Sequence, residues 1–441
     1  MDFLIAFLIF AASMVASIIY GFSMLIPLMV GYFAFAAVAV FRGSGVSKIF
    51  ACTFSGCKKG LVVVKIMICI GILTAMWRAG GTILFFVYYG AKLITPHTFI
   101  LMAFLLCGIL SYALGTSFGV AGTMGYILMT IAAAGDANLV MTAGAVMSGI
   151  YVGDRCSYAS SSAALTAMLT ETTIEKNVPL MLKTSWIATL LSAALYAGLS
   201  YFYPAGGTDE SILDAITAEY SIAWPTLIPA LIMFIMPLFR VPVWITMLIS
   251  AACAFGCAVF LQGETFLHML FVCLAGMPKG DGRISSLLSG GGIYSMLEIS
   301  LILLISCSYS EIFEEADMLK EVTEKMSRLI GRAGRFVTTF IIGTLACGLF
   351  CNQTIGDIVA VDVLNKAYRE SGGDSDEFAM DIENTLILTA GLIPWCLACK
   401  VPLTLLGADI RSLPFSFLLY LIPITYLFTK RWFFGSARGK I

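Results

Sequence analysis

Long apolar runs, separated by short polar segments, make up most of this chain. Six of them approach or reach the ~20 residues that cross a ~30 Å hydrocarbon layer. They are 2–19, 22–40, 98–113, 186–202, 241–261 and 413–428. Together with less regular runs, the pattern predicts about twelve transmembrane helices. We therefore expect an all-α, polytopic membrane protein.

Composition and net charge support this prediction. Of 441 residues, 59% are hydrophobic and 12% are charged, whereas soluble domains carry about 25% charged residues. The net charge of −1 gives no electrostatic basis for binding nucleic acid, so the lipid bilayer is the expected partner. The first run opens with Asp2 rather than with basic residues, and we interpret it as a transmembrane helix, not a cleaved signal.

The distribution of charged residues predicts the orientation. Basic residues cluster at 42–59 and 430–440, which places both termini in the cytoplasm and requires an even number of crossings. The loop 204–220 carries acidic but no basic residues and is predicted outside, whereas 320–335 has five basic residues and is predicted inside. If 264–277 crossed the membrane, the number of crossings between these two loops would not fit one loop outside and the other inside. We therefore expect 264–277 to be re-entrant.

Cysteine and histidine do not form a metal-binding pattern. The thirteen cysteines are scattered through apolar runs, and the CxxC pair Cys396 and Cys399 has no second pair or histidines at zinc-site spacing. We interpret these residues as small core side chains. His97 and His268 lie near predicted helix ends and suit capping or interfacial positions.

The order of polar interruptions divides the chain into four parts. N-terminal helices (1–58) precede a first repeat (59–203), an external loop with connecting helices (204–289), and a second repeat with the tail (290–441). Each repeat contains a Gly-Thr-led stretch, GTSFGVAGTMG at 115–125 and GTLACGLFCNQTIGD at 343–357, followed by a segment with ionisable and glycine residues. This order predicts an internal structural repeat with broken helices, as in secondary transporters.

The interruptions also predict where a site lies. A helix in lipid can unwind only where its backbone polar groups meet protein or water, so glycine-rich breaks mark a cavity. Close helix packing through Gly119 and Gly122 is an equally good explanation of the first break. Hydroxyl groups around the breaks offer the hard oxygen atoms that an alkali cation or a polar substrate needs; they belong to Thr116, Ser117, Ser157, Ser160, Ser161 and Ser162.

Charged residues at membrane depth cost about 2.5 kcal/mol or more each, and so each needs a partner or a function. Arg78 is flanked by long apolar stretches and is the clearest buried charge. Asp154, Asp357 and Lys400 also favour a functional role. For Glu311 and Asp362 an interfacial position is the better interpretation.

Several segments resemble the NhaC-type sodium/proton antiporters. They are GILTAMWRAGGTILFFVYYGAKLITP (71–96), GTSFGVAGTMG (115–125), AGAVMSGIYVGDRCSYASSSA (143–163) and GLIPWCL (391–397). The resemblance implies a multi-pass secondary antiporter of the bacterial plasma membrane, built from two inverted repeats with broken helices and re-entrant hairpins. The family includes a malate/lactate antiporter, so the resemblance does not fix the substrate.

The chain departs from the family pattern at acidic positions. Where the family tends to have G-D-K-M-S-P-L-S-D-T-T-N, this chain has GDRCSYASSSAA, so Asp154 is kept but the second acid falls at Ser161. Where members often have Asp-Gln-Tyr, it has Asn352, Gln353 and Thr354. Before the Pro-Trp turn, where the family has two acidic residues, this chain has Glu383 and Asn384.

These observations predict cation/proton exchange by alternating access, with no cofactor beyond the coupling ions Na⁺ and H⁺. Asp154, with Asp357 as its counterpart, would alternately hold a proton and a cation such as Na⁺. Neutral oxygens would come from the hydroxyl set above and from Asn352 and Gln353. Arg78 and Lys400 would be counter-charges or anchors for an anion.

One alternative remains open in the sequence, namely Na⁺- or H⁺-coupled exchange or symport of a small organic anion or amino acid, which the basic residues would suit. A membrane enzyme is not supported. The chain has no P-loop, and its G-x-S-x-G match, GTSFG at 115–119, lies in a glycine-rich helix break rather than between a strand and a helix. The oligomeric state stays open between a monomer and a homodimer.

Overall fold

The described part of the chain is almost entirely helical. The computed structural model describes residues 2–93, 95–206, 214, 216–218, 220–239, 241–278, 289–316, 318 and 326–434. Within these ranges the only β-pairing is one isolated antiparallel bridge between Met277 and Gly290, which confirms the all-α prediction. Most of the predicted acidic loop, the stretch 320–325 and the basic tail from 435 onward lie outside these residues.

The described residues of the first half form ten α-helices, separated by short breaks. They are α1 (Asp2–Tyr20), α2 (Leu25–Phe41), α3 (Val46–Ala79), α4 (Thr82–Leu93), α5 (Phe99–Leu114), α6 (Ser117–Val120), α7 (Tyr126–Ala134), α8 (Leu139–Cys156), α9 (Ser161–Leu169) and α10 (Ile174–Phe202). A single π-helical turn, Ala121–Gly125, joins α6 to α7.

The described ranges of the second half continue the same pattern. Their α-helices are α11 (Ile228–Ile235), α12 (Val243–Phe260), α13 (Phe266–Ala275), α14 (Gly292–Ser295), α15 (Leu297–Glu315), α16 (Met326–Ala333), α17 (Arg335–Phe350), α18 (Gln353–Glu370), α19 (Ser375–Glu383), α20 (Leu386–Thr389), α21 (Leu397–Leu405) and α22 (Phe417–Phe433).

Helix length and composition indicate which segments could cross a membrane. Among the described residues, three continuous stretches are long and apolar enough, namely Pro96–Leu114, Ser117–Ala134 and Ile174–Phe202, or five if two bent pairs each count as one crossing. Six further apolar helices have 10–17 residues. The count of about twelve crossings therefore stays a prediction. Helix α13 rises about 15 Å, half the hydrocarbon thickness, which favours the predicted re-entrant course.

Two of the predicted breaks have nearly the same backbone geometry. After α5, Gly115 is left-handed (φ 66°, ψ 31°) and Thr116 is extended (φ −148°, ψ 126°). After α17, Cys351 is left-handed (φ 54°, ψ 18°) and Asn352 is extended (φ −146°, ψ 126°). In both, the extended residue caps the next helix by accepting a backbone N–H bond. This match supports the predicted repeat, whereas the inverted relation of the two halves stays a prediction.

Glycine allows helices α5 and α8 to pack closely. A Cβ on Gly153 would overlap the backbone of Ser111, and a Cβ on Gly149 would lie 2.6 Å from the Phe104 oxygen. The Ser111 hydroxyl donates to the Ile150 carbonyl and accepts from the Gly153 N–H at 3.1 Å. Small residues commonly permit such close approach between membrane helices. Here the approach brings the next residue, Asp154, to the start of α6.

We expect Gly153→Ala to destabilise the protein by about 1–3 kcal/mol, because overpacking of a tight contact forces backbone shifts. Thermal unfolding in detergent, followed by size-exclusion chromatography, would measure the loss. Gly198→Ala on α10 is the matched control, since a Cβ there meets no atom within 4 Å. Equal melting temperatures for the two variants would contradict this account of the α5–α8 contact.

Candidate functional site

Asp154 lies near the end of α8 and faces the start of α6. Its Oδ1 accepts the Ser117 N–H at 3.2 Å, and its Oδ2 accepts from Gln353 Nε2 at 3.4 Å. Ser117 begins a helix, where backbone N–H groups have no partner within the helix and attract an acceptor. The Asp154 residue is partly exposed. Its carboxylate is therefore held by donors from both halves of the chain.

Gln353 connects the two halves of the chain at this point. It is the first residue of α18, and its Nε2 also donates to Ser162 Oγ on α9 at 2.9 Å. One amide group thus contacts Asp154 and Ser162 of the first half from the second half. The predicted site residues Asp154, Ser162 and Gln353 form one hydrogen-bonded group.

Asp357 lies one helical turn further along, deeper in the protein. It follows Gln353 by four residues on α18, and Thr166 follows Ser162 by four residues on α9, so both pairs repeat on the same helix faces. Thr166 Oγ1 donates to Asp357 Oδ2 at 2.7 Å. Asp357 is buried, and its Oδ1 has no hydrogen-bond partner within the described part of the chain.

Arg155 points away from Asp154 and is buried between the halves. Its guanidinium donates to Asn384 Oδ1 and to the Met181 carbonyl at 3.1 Å, while its Nε has no partner in the described ranges. Asn384 Nδ2 in turn donates to Thr184 at 3.2 Å. Arg155 therefore makes direct contact with neutral groups, and within the described residues its charge is not paired with a carboxylate.

Glu383 is the site residue that the sequence reasoning missed as a candidate. It ends α19, directly before a break at Asn384 and Thr385. The side chain is fully buried, and neither carboxylate oxygen has a hydrogen-bond partner among the described residues. Asp357, Arg155 and Asp154 are the charged residues close enough to act on its charge. An acid directly before the polar residues Asn384 and Thr385 was the available signal.

Other residues that were predicted to bind the cation through their oxygen atoms have local structural roles. Thr116 and Asn352 cap α6 and α18, and Ser160 caps α9 by accepting the Ala163 N–H at 3.1 Å. Ser157 accepts the Ala159 N–H at 3.1 Å within the break after α8. Ser160 also donates to the Asp154 carbonyl, so it supports the acid through its backbone.

The remaining predicted residues lie outside this group. Ser161 is exposed, and Lys400 is half-buried on α21. Arg78 is 8% exposed, donates from Nε to the Tyr126 hydroxyl at 2.9 Å and stacks over that ring at 4.4 Å. In the described part of the chain neither basic residue pairs with a carboxylate. The structure therefore brings together Asp154, Ser117, Ser162, Gln353 and Asp357 but not Arg78.

The acids of the site are spread along the junction between the halves. Among the described residues, no three or more His, Cys, Asp or Glu side chains converge as metal ligands. A cation at Asp154 would therefore be held by one carboxylate and neutral oxygens. Such a site suits a weakly bound ion in transit rather than a resident metal.

Comparison with known proteins matches this arrangement to one family. A model of the Na⁺/H⁺ antiporter family matches residues 149–430, which contain Asp154, Gln353, Asp357 and Glu383. The chain belongs to the Na⁺/H⁺ antiporter family. The predicted resemblance to NhaC-type antiporters is thereby confirmed.

Relatives of this antiporter-family chain have different named substrates. The Na⁺/H⁺ antiporter NhaC of Alkalihalophilus pseudofirmus is 22% identical, over 94% of this chain and 91% of that protein. The malate-2H⁺/Na⁺-lactate antiporter of Bacillus subtilis is 27% identical, over 88% and 85%. The arginine/ornithine antiporter ArcD of Halobacterium salinarum is 26% identical, over 93% and 87%.

A second group of charges in this antiporter-family protein lies on the same helix as Glu383. Lys430 Nζ on α22 is 2.6 Å from Asp381 Oδ2 and 2.8 Å from Glu377 Oε1. Arg335 on α17 contacts both Glu377 oxygens at 3.0 Å, and the Tyr368 hydroxyl donates to Asp381 at 2.7 Å. These contacts fix α19 to α17, α18 and α22.

We expect Lys430→Met to destabilise the antiporter by about 3 kcal/mol, because it leaves the fully buried Asp381 without a counter-charge. Melting in detergent would show the loss, and Asp381→Asn in the same chain should recover part of it. Lys366→Met is the control, since the Lys366 Nζ lies 4.0 Å from Glu370 at an exposed site. A Lys430→Met protein as stable as this control would contradict the assignment.

Proposed function

We propose that this protein exchanges Na⁺, or a related cation, for H⁺ across the membrane by alternating access. The supporting observation is the position of Asp154. It is a partly exposed residue at the junction of the two halves, and its carboxylate accepts hydrogen bonds from both. Family membership and the NhaC relative support the same reaction.

Competition for the negative charge of the site couples the two ions. Ionised Asp154 attracts a cation, and Ser162 lies beside it, since Gln353 Nε2 donates to both side chains. A proton bound by a carboxylate of this group removes one negative charge and weakens the electrostatic hold on the cation. Because each ion lowers the affinity of the site for the other, release of one accompanies uptake of the other.

Movement of the halves would change the side from which the site is open. Side-chain contacts at the site join the two halves; they include Asp154–Gln353, Ser162–Gln353, Thr166–Asp357 and Arg155–Asn384. Each pairs a residue before 204 with one after 290. We infer that the halves are inverted repeats and that rocking of one against the other alternates access, as in other transporters built from repeats.

The proposed setting is the bacterial plasma membrane, crossed about twelve times, with both termini in the cytoplasm. The basic segments at 42–59 and 430–440 carry this orientation. A homodimer is compatible with it, but no part of the proposed cycle requires one.

Exchange of a small organic solute is the second candidate. The malate-2H⁺/Na⁺-lactate and arginine/ornithine relatives support it, since each aligns over most of this chain. Lys400 supports it as well, because it is half-buried and has no carboxylate partner within the described ranges. A lysine in such a position could bind a carboxylate group of a substrate.

We expect Asp154→Asn to reduce Na⁺-driven proton movement at least tenfold, since the amide neither ionises nor binds a proton. Purified protein in liposomes with an internal pH-sensitive dye would measure this on addition of Na⁺, Li⁺ or K⁺. The control is Asp362→Asn, an exposed residue on α18, which should keep wild-type rates. Unchanged transport in Asp154→Asn would exclude this role for Asp154.

The organic-solute candidate predicts a different result for Lys400→Met. If the substrate is Na⁺ alone, the variant should keep its Na⁺/H⁺ exchange rate within about twofold. Addition of malate, lactate or amino acids to wild-type liposomes should then cause no proton movement. If proton movement requires one of these solutes and Lys400→Met abolishes it, organic exchange is the function. Arg78→Gln serves as comparison, because Arg78 lies outside the carboxylate group.

A further inference from the structure

Glu383 differs from every other acid in the described part of the chain. It alone has both carboxylate oxygens buried and without a hydrogen-bond partner. Asp381, on the same helix, has Lys430 and Tyr368 as partners. Asp154 has two donors and partial exposure. The Thr166 hydroxyl beside Glu383 donates to Asp357 instead, so Glu383 differs from its neighbours in having no hydrogen bond to either oxygen within the described residues.

A buried carboxylate without donors needs a balancing positive charge. At 0% exposure, Glu383 leaves no access for a hydrated or partly hydrated cation in this conformation. It also ends α19, where the helix carbonyls add partial negative charge. A proton is the positive charge that fits this position.

Glu383 lies close enough to the cation site for their charges to interact, but its oxygen atoms are not part of that site. The groups that face it are Arg155 and Asp154 on α8, Thr166 on α9 and Asp357 on α18. The Thr166 hydroxyl, which donates to Asp357, lies beside Glu383. Tyr426 on α22 lies near both Asp381 and Asn384, next to this site. The fixed positive charge among these groups is Arg155.

We propose that Glu383 is the proton-carrying carboxylate of the exchange, while Asp154 is the carboxylate that faces the cation. The inference rests on the proposed exchange of a cation for H⁺. Loss of the proton to water leaves the electron pair on Glu383 and adds one negative charge to the group, which a cation at Asp154 balances. Return of the proton removes that charge and weakens cation binding. The two ions then compete through charge, at different residues.

Two assays in liposomes separate these roles. Exchange of labelled Na⁺ for unlabelled Na⁺ at equal pH on both sides needs the cation site but no net proton transfer. Uptake of labelled Na⁺ driven by a pH gradient needs both. We expect Glu383→Gln to keep Na⁺/Na⁺ exchange within about threefold and to lose gradient-driven uptake at least tenfold. Asp154→Asn should lose both activities.

Two outcomes would overturn the proposal. In one, Glu383→Gln keeps wild-type gradient-driven uptake. In the other, a correctly folded Glu383→Gln protein loses both activities to the same degree, which makes Glu383 part of the cation site. Glu370→Gln, an exposed acid on α18, is the control and should match the wild type in both assays.

A second variant covers the case in which Glu383→Gln fails to fold, as judged by its melting temperature. Glu383→Asp keeps a carboxylate but moves it, so it should keep Na⁺/Na⁺ exchange and displace the pH profile of gradient-driven uptake. An unchanged pH profile would overturn the proposal. If the wild-type protein moves no protons with any cation, the proposed function itself fails, and this inference falls with it.

Discussion

The cost of burying charge inside a membrane protein governs this structure. Asp154, Arg155, Asp357 and Glu383 lie at the junction of the two halves, and no two of them form a direct ion pair in the described residues. Three acids and one base leave a surplus of negative charge when all are ionised. Such a surplus at membrane depth persists only if mobile positive charges balance it. The arrangement is therefore stable only while it holds protons or cations.

The broken helices make this charge arrangement possible. A left-handed residue at Gly115 and at Cys351 ends one helix, and an extended, capping residue begins the next. The break places the free N–H of Ser117 at Asp154 and places Gln353 at the start of α18. A non-glycine residue in the left-handed region costs free energy, so the surrounding packing must hold Cys351 in place. The same backbone geometry in both halves gives each half one edge of the site.

Sequence patterns predicted the helical class, the breaks and the central residues Asp154, Ser162, Gln353 and Asp357. They could not separate a helix cap from an ion ligand, because both roles need an oxygen beside a break, and so Thr116, Ser160 and Asn352 were included. They also missed Glu383, because folding places it beside residues more than 200 positions away in the chain, namely Asp154, Arg155 and Thr166. Arg78 is buried as predicted, but its partner is Tyr126 rather than an acid of the site.

Helix α19 combines two kinds of acid within nine residues. Glu377 and Asp381 are paired with Arg335 and Lys430, and these ion pairs hold the helix against its neighbours. Glu383, two residues beyond Asp381, has no such partner. A change of charge at Glu383 therefore acts on a helix that is fixed at one end and broken at the other, at Asn384 and Thr385. On the proposed mechanism, gain or loss of a proton would move the backbone at the break rather than at the paired end. Asn384, which accepts a hydrogen bond from Arg155 of the opposite half, is the side chain that would couple the two halves.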